Sequence, residues 1–170
     1  MYLLREFVKR NELYLFFAAS FLIFNQAFGS TKTWTGLAGD GQWATAANWS
    51  GGVLPVAVDD ILLDNSSAIA NYAVILPNVA IVVKSITINP DPGRTIQLTL
   101  PNSNITEPAL TITGPGYGLL INDGGIFENA SGLTSGESLV IGDSLRINNG
   151  GRYIHRTKAS HAINIARLLS

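Results

Sequence analysis

Ser85–Gly114, SITINPDPGRTIQLTLPNSNITEPALTITG, is the stretch whose reading decides the fold. Three triplets lie in it: Ile86-Thr87-Ile88, Leu98-Thr99-Leu100 and Leu110-Thr111-Ile112. They recur every 12 residues, each followed within two residues by Pro, or by Gly and Pro. Ile86, Ile88, Ile96, Leu98 and Leu100 fall on one face of a period of two, with Thr87, Gln97 and Thr99 on the other. That period is the mark of a half-buried strand, because successive Cβ atoms point to opposite sides of a sheet. Between the triplets sit Asn89-Pro90-Asp91-Pro92-Gly93 and Pro101-Asn102-Ser103-Asn104, all turn-formers.

The same pattern extends outward in both directions. Tyr72–Leu76 (YAVIL), Ala80–Asn89 (AIVVKSITIN), Thr95–Leu100 and Ala109–Thr113 are rich in β-branched residues and read as strands. Further on, Leu119–Phe127 matches Leu145–Tyr153 at an offset of 26 residues. Ile121-Asn122-Asp123-Gly124-Gly125 aligns with Ile147-Asn148-Asn149-Gly150-Gly151, and Phe127 with Tyr153. A repeat in the 20–50-residue range marks a solenoid or propeller. Short strands, Asn/Gly corners and the lack of long helical patterns favour an all-β, right-handed parallel β-helix with coils of roughly two dozen residues. Each coil would bury its inward Ile, Leu and Val against the coils above and below. Glu128–Ser138 reads as a loop. In Lys158–Ser170, Ala159, Ala162, Ile163, Ala166 and Leu169 have helical spacing and suggest a short helix or insertion. With no capping pattern after it, the stack is expected to leave a sheet edge open, as in the N-terminal part of a longer protein or a truncated product.

Upstream the chain changes character. Arg5, Lys9 and Arg10 precede an apolar run, Leu13–Phe24, and Ala27-Phe28-Gly29 follows polar Asn25 and Gln26. This three-part order predicts a secretory signal peptide over 1–29, cleaved between Gly29 and Ser30. The apolar run is shorter than the ~20 residues of a spanning helix. The 170-residue chain has a net charge of −1, and losing Met1–Gly29 would make it slightly more negative. No basic face of the kind nucleic-acid binding requires is present. The chain has no cysteine, which excludes disulfides and thiolate metal sites. Domain organisation is therefore read as signal peptide, a Trp-rich N-terminal cap over 30–60, coils over 61–157 and a tail over 158–170.

All three tryptophans, Trp34, Trp43 and Trp49, lie in the cap stretch. They pack as the closed end of the stack or serve as a carbohydrate platform; the first reading follows from the apolar area each ring buries. The order Trp34-x-Gly36, Gly41-x-Trp43, Asn48-Trp49, Gly52, Pro55 and Asp59 resembles the entry to β-helical regions of large bacterial exported proteins. Those include autotransporter-type adhesin-like proteins and surface proteins of the type IX secretion system. A second, weaker likeness is to the G8-type β-helical domain of extracellular proteins. The first resemblance implies a secreted or cell-surface location and a non-enzymatic, adhesin-like role. The partners it implies are glycans, extracellular matrix or cell-surface proteins. The alternatives are the N-terminal part of a carbohydrate-active β-helical enzyme and a Trp-based carbohydrate-binding module.

No constellation carries catalysis on its own. Asp59 and Asp60 are adjacent and should point to opposite sides of a strand, while Asp64, Asp91, Asp123, Glu128, Glu137 and Asp143 read mostly as solvated turn residues. Asn122 and Asn148 suit a corner ladder better than calcium, since the nonapeptide calcium repeat is absent. Gly124-Gly125 and Gly150-Gly151 read as turns with φ > 0. His155 and His161, beside Arg152, Arg156 and Lys158, make a poor zinc site. No cofactor is expected. Four Asn-x-Ser/Thr sequons, at Asn48, Asn65, Asn104 and Asn129, would matter only in a eukaryotic secretory pathway.

Overall fold

The computed structural model describes residues 29–159 and 162–170. The expected signal segment, apart from Gly29, and His161 lie outside them. The described residues form a parallel β-solenoid of about four turns with three sheets as its sides. The first sheet stacks β1 (Thr31–Thr33), β2 (Asp60–Asp64), β5 (Ser85–Asn89), β8 (Tyr117–Ile121) and β11 (Ser144–Ile147). The second stacks β3 (Tyr72–Ile75), β6 (Ile96–Leu100), β9 (Gly125–Asn129) and β12 (Arg152–His155). The third stacks β4 (Ile81–Val83), β7 (Leu110–Ile112) and β10 (Leu139–Ile141). Every neighbouring pair of strands is parallel.

The two sequence periods now separate. The 12-residue triplets are β5, β6 and β7, the three sides of one coil. The 26-residue offset is the step from one coil to the next, with Leu119 paired to Leu145 and Phe127 to Tyr153. Register makes columns of inward side chains: Ile61, Ile86, Leu119 and Leu145 on one side; Val74, Leu98, Phe127 and Tyr153 on the second; Val83, Ile112 and Ile141 on the third. Phe127 and Tyr153 stack at 5.7 Å between ring centroids, 7° from parallel. Nearly all of these side chains are fully buried in one continuous core.

Some expectations change. Ala80–Asn89 is two strands, β4 and β5, with a corner at Lys84, because the coil must turn there and Lys84 carries its amine outward to Asp60. Leu139–Ile141, in the stretch after the loop, is a strand of the third sheet. The cap stretch also supplies β1, the first strand of a sheet, so cap and coils share a ladder. β8 carries one residue more than β11 opposite it, Gly118. A Cβ there would lie 3.1 Å from the side chains of Ile112 and Ile141, so the bulge packs tightly against the third sheet. Positive φ falls on the first glycine of each repeated pair, Gly124 (75°) and Gly150 (83°), and not on Gly125 or Gly151.

The tail forms helix α1 (Ala162–Arg167). Its buried side chain is Ile165, whereas Ile163 and Leu169 of the expected apolar face are 63% and 52% exposed. The edge of β11 that was expected to be open is met by the tail: Leu145 N–H donates to Leu168 O (2.8 Å) and Ser170 N–H to Leu145 O (3.2 Å). Six residues of helix are too few to be stable alone, so contact with the last coil holds it.

The columns make a sharp contrast testable. Leu98→Ala should cost about 2–5 kcal/mol, since it leaves a hole between two neighbouring coils. Thr111→Ala, on the outward side of β7, should stay within about 0.5 kcal/mol. Urea unfolding midpoints at constant m-value would check both.

Candidate functional site

The cap is where the sequence concentrates its unusual residues, and the fold places it over the first coil. Trp34 N–H donates to Leu62 O (3.0 Å), extending the first sheet beyond β1. Ile75 N–H donates to Gly41 O (2.9 Å) and Trp43 N–H to Ile75 O (3.0 Å), which adds Gln42 to the edge of the second sheet. The cap thus bonds to two of the three sides, and the tryptophans fill the space between. Trp49 meets Trp34 edge-on at 5.0 Å and Trp43 at 4.6 Å, and Trp34 stacks on Tyr72 at 6.3 Å. Such edge-to-face pairs are favoured by the ring quadrupole. Trp49 Nε1–H donates to Trp43 O (2.8 Å), satisfying its one polar atom. The three indoles are 1–2% exposed. A sugar platform needs an open ring face; here the faces are covered by each other and by the first coil.

The other residues of the cap pattern hold this cluster closed. A 3₁₀ turn at Ala46–Asn48 buries Asn48. Its side chain donates to Asp40 Oδ1 (2.6 Å) and Gln42 O (3.1 Å) and accepts from Ala38 N–H (2.9 Å). Asp40 also accepts from the Thr45 hydroxyl (2.6 Å) and Gln42 N–H (2.9 Å), and these bonds lower its pKa. Asp59, expected among the acids, is buried and does not sit in solvent. Its carboxylate accepts from Ser30 N–H (2.8 Å), the Ser30 hydroxyl (3.0 Å) and Val56 N–H (2.9 Å). Burial pushes the Asp59 carboxyl up, but the bonds from Ser30 and Val56 and the charge of Lys32 outweigh it, and its pKa is lowered. Asp60 faces the other way, to Lys84 (2.8 Å) and Ser85 (2.6 Å), with a lowered pKa that these partners hold against burial.

Several of the remaining acids are also bound into local structure. Glu128 accepts from Gln97 (2.7 Å) and pairs with Arg156 (2.7 Å); Asp143 accepts from Gly116 N–H (2.7 Å); Asp64 takes the Ser66 hydroxyl (2.6 Å). Glu137 accepts from Asn164 of α1. His155 lies 3.3 Å from the Tyr153 hydroxyl. Burial pushes the Tyr153 phenol up to about 12, offset in part by Asn129. Burial, with the charge of Asp64 added, also raises Tyr72, whose hydroxyl donates to Asp64 O (2.8 Å). Among the described residues no group of three or more metal-ligating side chains assembles.

The asparagines form two systems. Asn148 donates to Asn122 and Asn122 to Asn89, each at 2.7 Å, a corner ladder across three coils. The second system is the one the sequence conceals. All four sequon asparagines are buried, at 0–4% exposure. Asn65 donates to Ala68 O and Ala70 O; Asn104 to Pro77 O and Val79 O of the coil below; Asn129 to the hydroxyls of Ser138 and Tyr153. Asn104 and Asn129 also accept the N–H two residues on, from Thr106 and Ser131. At Asn104 and Asn129 the side-chain amide is thus used on both sides, accepting within its own turn and donating into the corner.

Two tests follow from the cap and the corners. Trp49→Ala should lose about 3–5 kcal/mol and expose the remaining indoles to acrylamide quenching. In a host that transfers oligosaccharide to sequons, the chain should be retained unfolded, because a glycan on Asn104 or Asn129 removes interior donors. Blocking that transfer should restore folded secreted product; a folded product glycosylated at these positions would overturn the assignment.

Comparison with known proteins assigns no family to this geometry: no protein-family model matches the chain, and neither does any curated protein or solved structure.

Proposed function

We propose that this chain is the exported β-helical part of a bacterial cell-surface protein, and that its work is presentation, not catalysis. The observation that carries the reading is where the expected cleavage point falls relative to the first described strand. The expected cleavage point leaves Ser30 first, and Ser30 is the residue clamped by Asp59, with β1 starting at Thr31. Among the described residues, every strand and every core side chain lies after the expected cleavage point.

Presentation fits the outward sides. Gln97, Thr99 and Glu128 lie on one face of the second sheet, and Thr87 and Arg146 on the first. Thr99 and Glu128 are cross-strand neighbours at the strand spacing of about 4.8 Å, while Leu120 stands between Thr87 and Arg146. The outward columns mix such polar residues with aliphatic ones, Leu120 and Val82 among them, and a surface of this kind suits weak, repeated contacts to an extended glycan or matrix polymer, where many small contacts add through multivalency. Asp59, Asp60 and Glu128 are engaged in local hydrogen bonds and ion pairs, which supports the non-enzymatic reading. Buried tryptophans give the binding-module alternative no open platform.

Expression of the full chain with a C-terminal epitope in a diderm bacterium tests this directly. Surface-accessible epitope, removed by protease shaving of intact cells, is expected. The combined variant Gln97→Ala, Thr99→Ala and Thr87→Ala should weaken retention on immobilised polysaccharide or matrix at least threefold, with little change in unfolding. Cytoplasmic retention would overturn the export reading, and polysaccharide cleavage by the purified chain would overturn the non-enzymatic one.

A further inference from the structure

We propose that Asp59 is a receptor for a new chain terminus: hydrolysis of the Gly29–Ser30 bond would convert the Ser30 amide into an α-ammonium, which the buried carboxylate then holds. This rests on the export reading above. The chemistry is a single hydrolysis catalysed by a membrane signal peptidase. One water is consumed, its hydroxyl going to the Gly29 carbonyl carbon and a proton to the Ser30 nitrogen. That amine takes a second proton from solvent at neutral pH, because an α-amine has a pKa of about 7.7–8.0.

The geometry is ready for the charge. Ser30 N is 2.8 Å from Asp59 Oδ1, a normal distance for an N⁺–H···O⁻ bond. The Ser30 hydroxyl occupies the same oxygen at 3.0 Å, and Asp60 N–H donates to Ser30 O at 3.0 Å, so the residue is held on both sides. Asp59 itself is 2% exposed and fixed from behind by Val56 N–H and by its own carbonyl, which accepts from Lys84 N–H (3.0 Å). Position 29 has no room for a side chain: a Cβ would lie 1.9 Å from Val58 O. The uncut chain therefore enters this corner under a steric limit that cleavage removes. The charged groups around the pair are Lys32 on β1 and Asp60, itself neutralised by Lys84. Among the described residues no ammonium is bonded to the carboxylate, and the terminal charge would supply one. The lowered pKa of Asp59 agrees with a carboxylate kept ionised for this use.

The pH dependence has two limbs. The α-ammonium gains a partner, so its pKa rises in the folded state; its contribution is full below about 7.7 and is lost as pH climbs through the raised value. Asp59 has a lowered pKa, so its contribution is present above the ordinary carboxylate value and lost as pH falls through the lowered one.

The experiment uses the exported product of the full chain. N-terminal sequencing and intact mass should show Ser30 as the first residue. NMR titration of the Ser30 α-nitrogen should place its pKa at least about one unit above the ordinary value. A Gly inserted between Gly29 and Ser30 moves the charge one residue away, puts no Cβ against Val58 and leaves Asp59 a plain amide; its Tm should fall by about 3 °C, with the alkaline limb shifted to lower pH. Asp59→Asn should abolish the shifted titration. Export with a different first residue overturns the receptor role while the surface reading stands. So does a Ser30 terminus that titrates normally with an unchanged glycine-insertion Tm. An unprocessed, cytoplasmic chain overturns both.

Discussion

A coil of a parallel β-helix cannot bury its own inward side chains. Ile86, Leu98 and Leu110 each cover a neighbour's atoms above and below, and their burial is complete only while both neighbours are in place. The cost of an end is therefore concentrated: the first coil would present Ile61, Leu63, Val74 and Leu76 to water. Covering four such side chains is worth on the order of 6–12 kcal/mol, by the usual 1.5–3 per buried aliphatic side chain. That is comparable with the whole stability of a domain. The tryptophans answer this constraint. Three indoles cross-packed edge to face cover the largest area per residue available, and they do so with few rotatable bonds to order.

The corners carry the second constraint. A strand that turns sharply strands carbonyl groups that no ladder reaches, and buried carbonyls need donors. Asn104 reaches down to Pro77 O and Val79 O in the previous coil, and Asn65 Oδ1 reaches up to accept Asp91 N–H (3.0 Å) in the next. Side-chain amides can donate and accept at once, so an asparagine can join coils that backbone bonds leave apart. Asp59 does the same at the beginning of the stack, tying Ser30 to the Val56 turn. Corner polar groups thus fix register along the axis, while the aliphatic columns supply the burial.

Much of this was legible because periodicity is a property of the chain alone. The alternation around Ile96–Leu100 predicts which side chains are buried, and all three of Ile96, Leu98 and Leu100 are. The matching repeats predict the coil step, and Leu119 and Leu145 pair as aligned. Corners were harder. AIVVKSITIN reads as one strand, since nothing in its propensities marks the bend at Lys84; the bend comes from closing a three-sided coil. The tail helix was placed correctly but faced wrongly, because a six-residue helix has too little periodicity to choose between Ile163 and Ile165. Asp59 was hidden for a different reason. Its partners are 29 and three residues away, and only the cap's closure brings Ser30 to it.

The cap and the corners impose different requirements on assembly. Corner asparagines act between coils as each is added, so they can form progressively along the chain. The cap closes only when residues from 30 to 75 meet, through Ser30–Asp59, Trp34–Leu62 and Trp43–Ile75. These contacts span about as much sequence as the corner bonds between coils, but several must form together before the cap is closed. A chain delivered N-terminus first has the whole cap stretch and first coil in hand before later coils arrive. The order in which the residues emerge then matches the order in which the stack can be covered, and the open, growing face is always the C-terminal one.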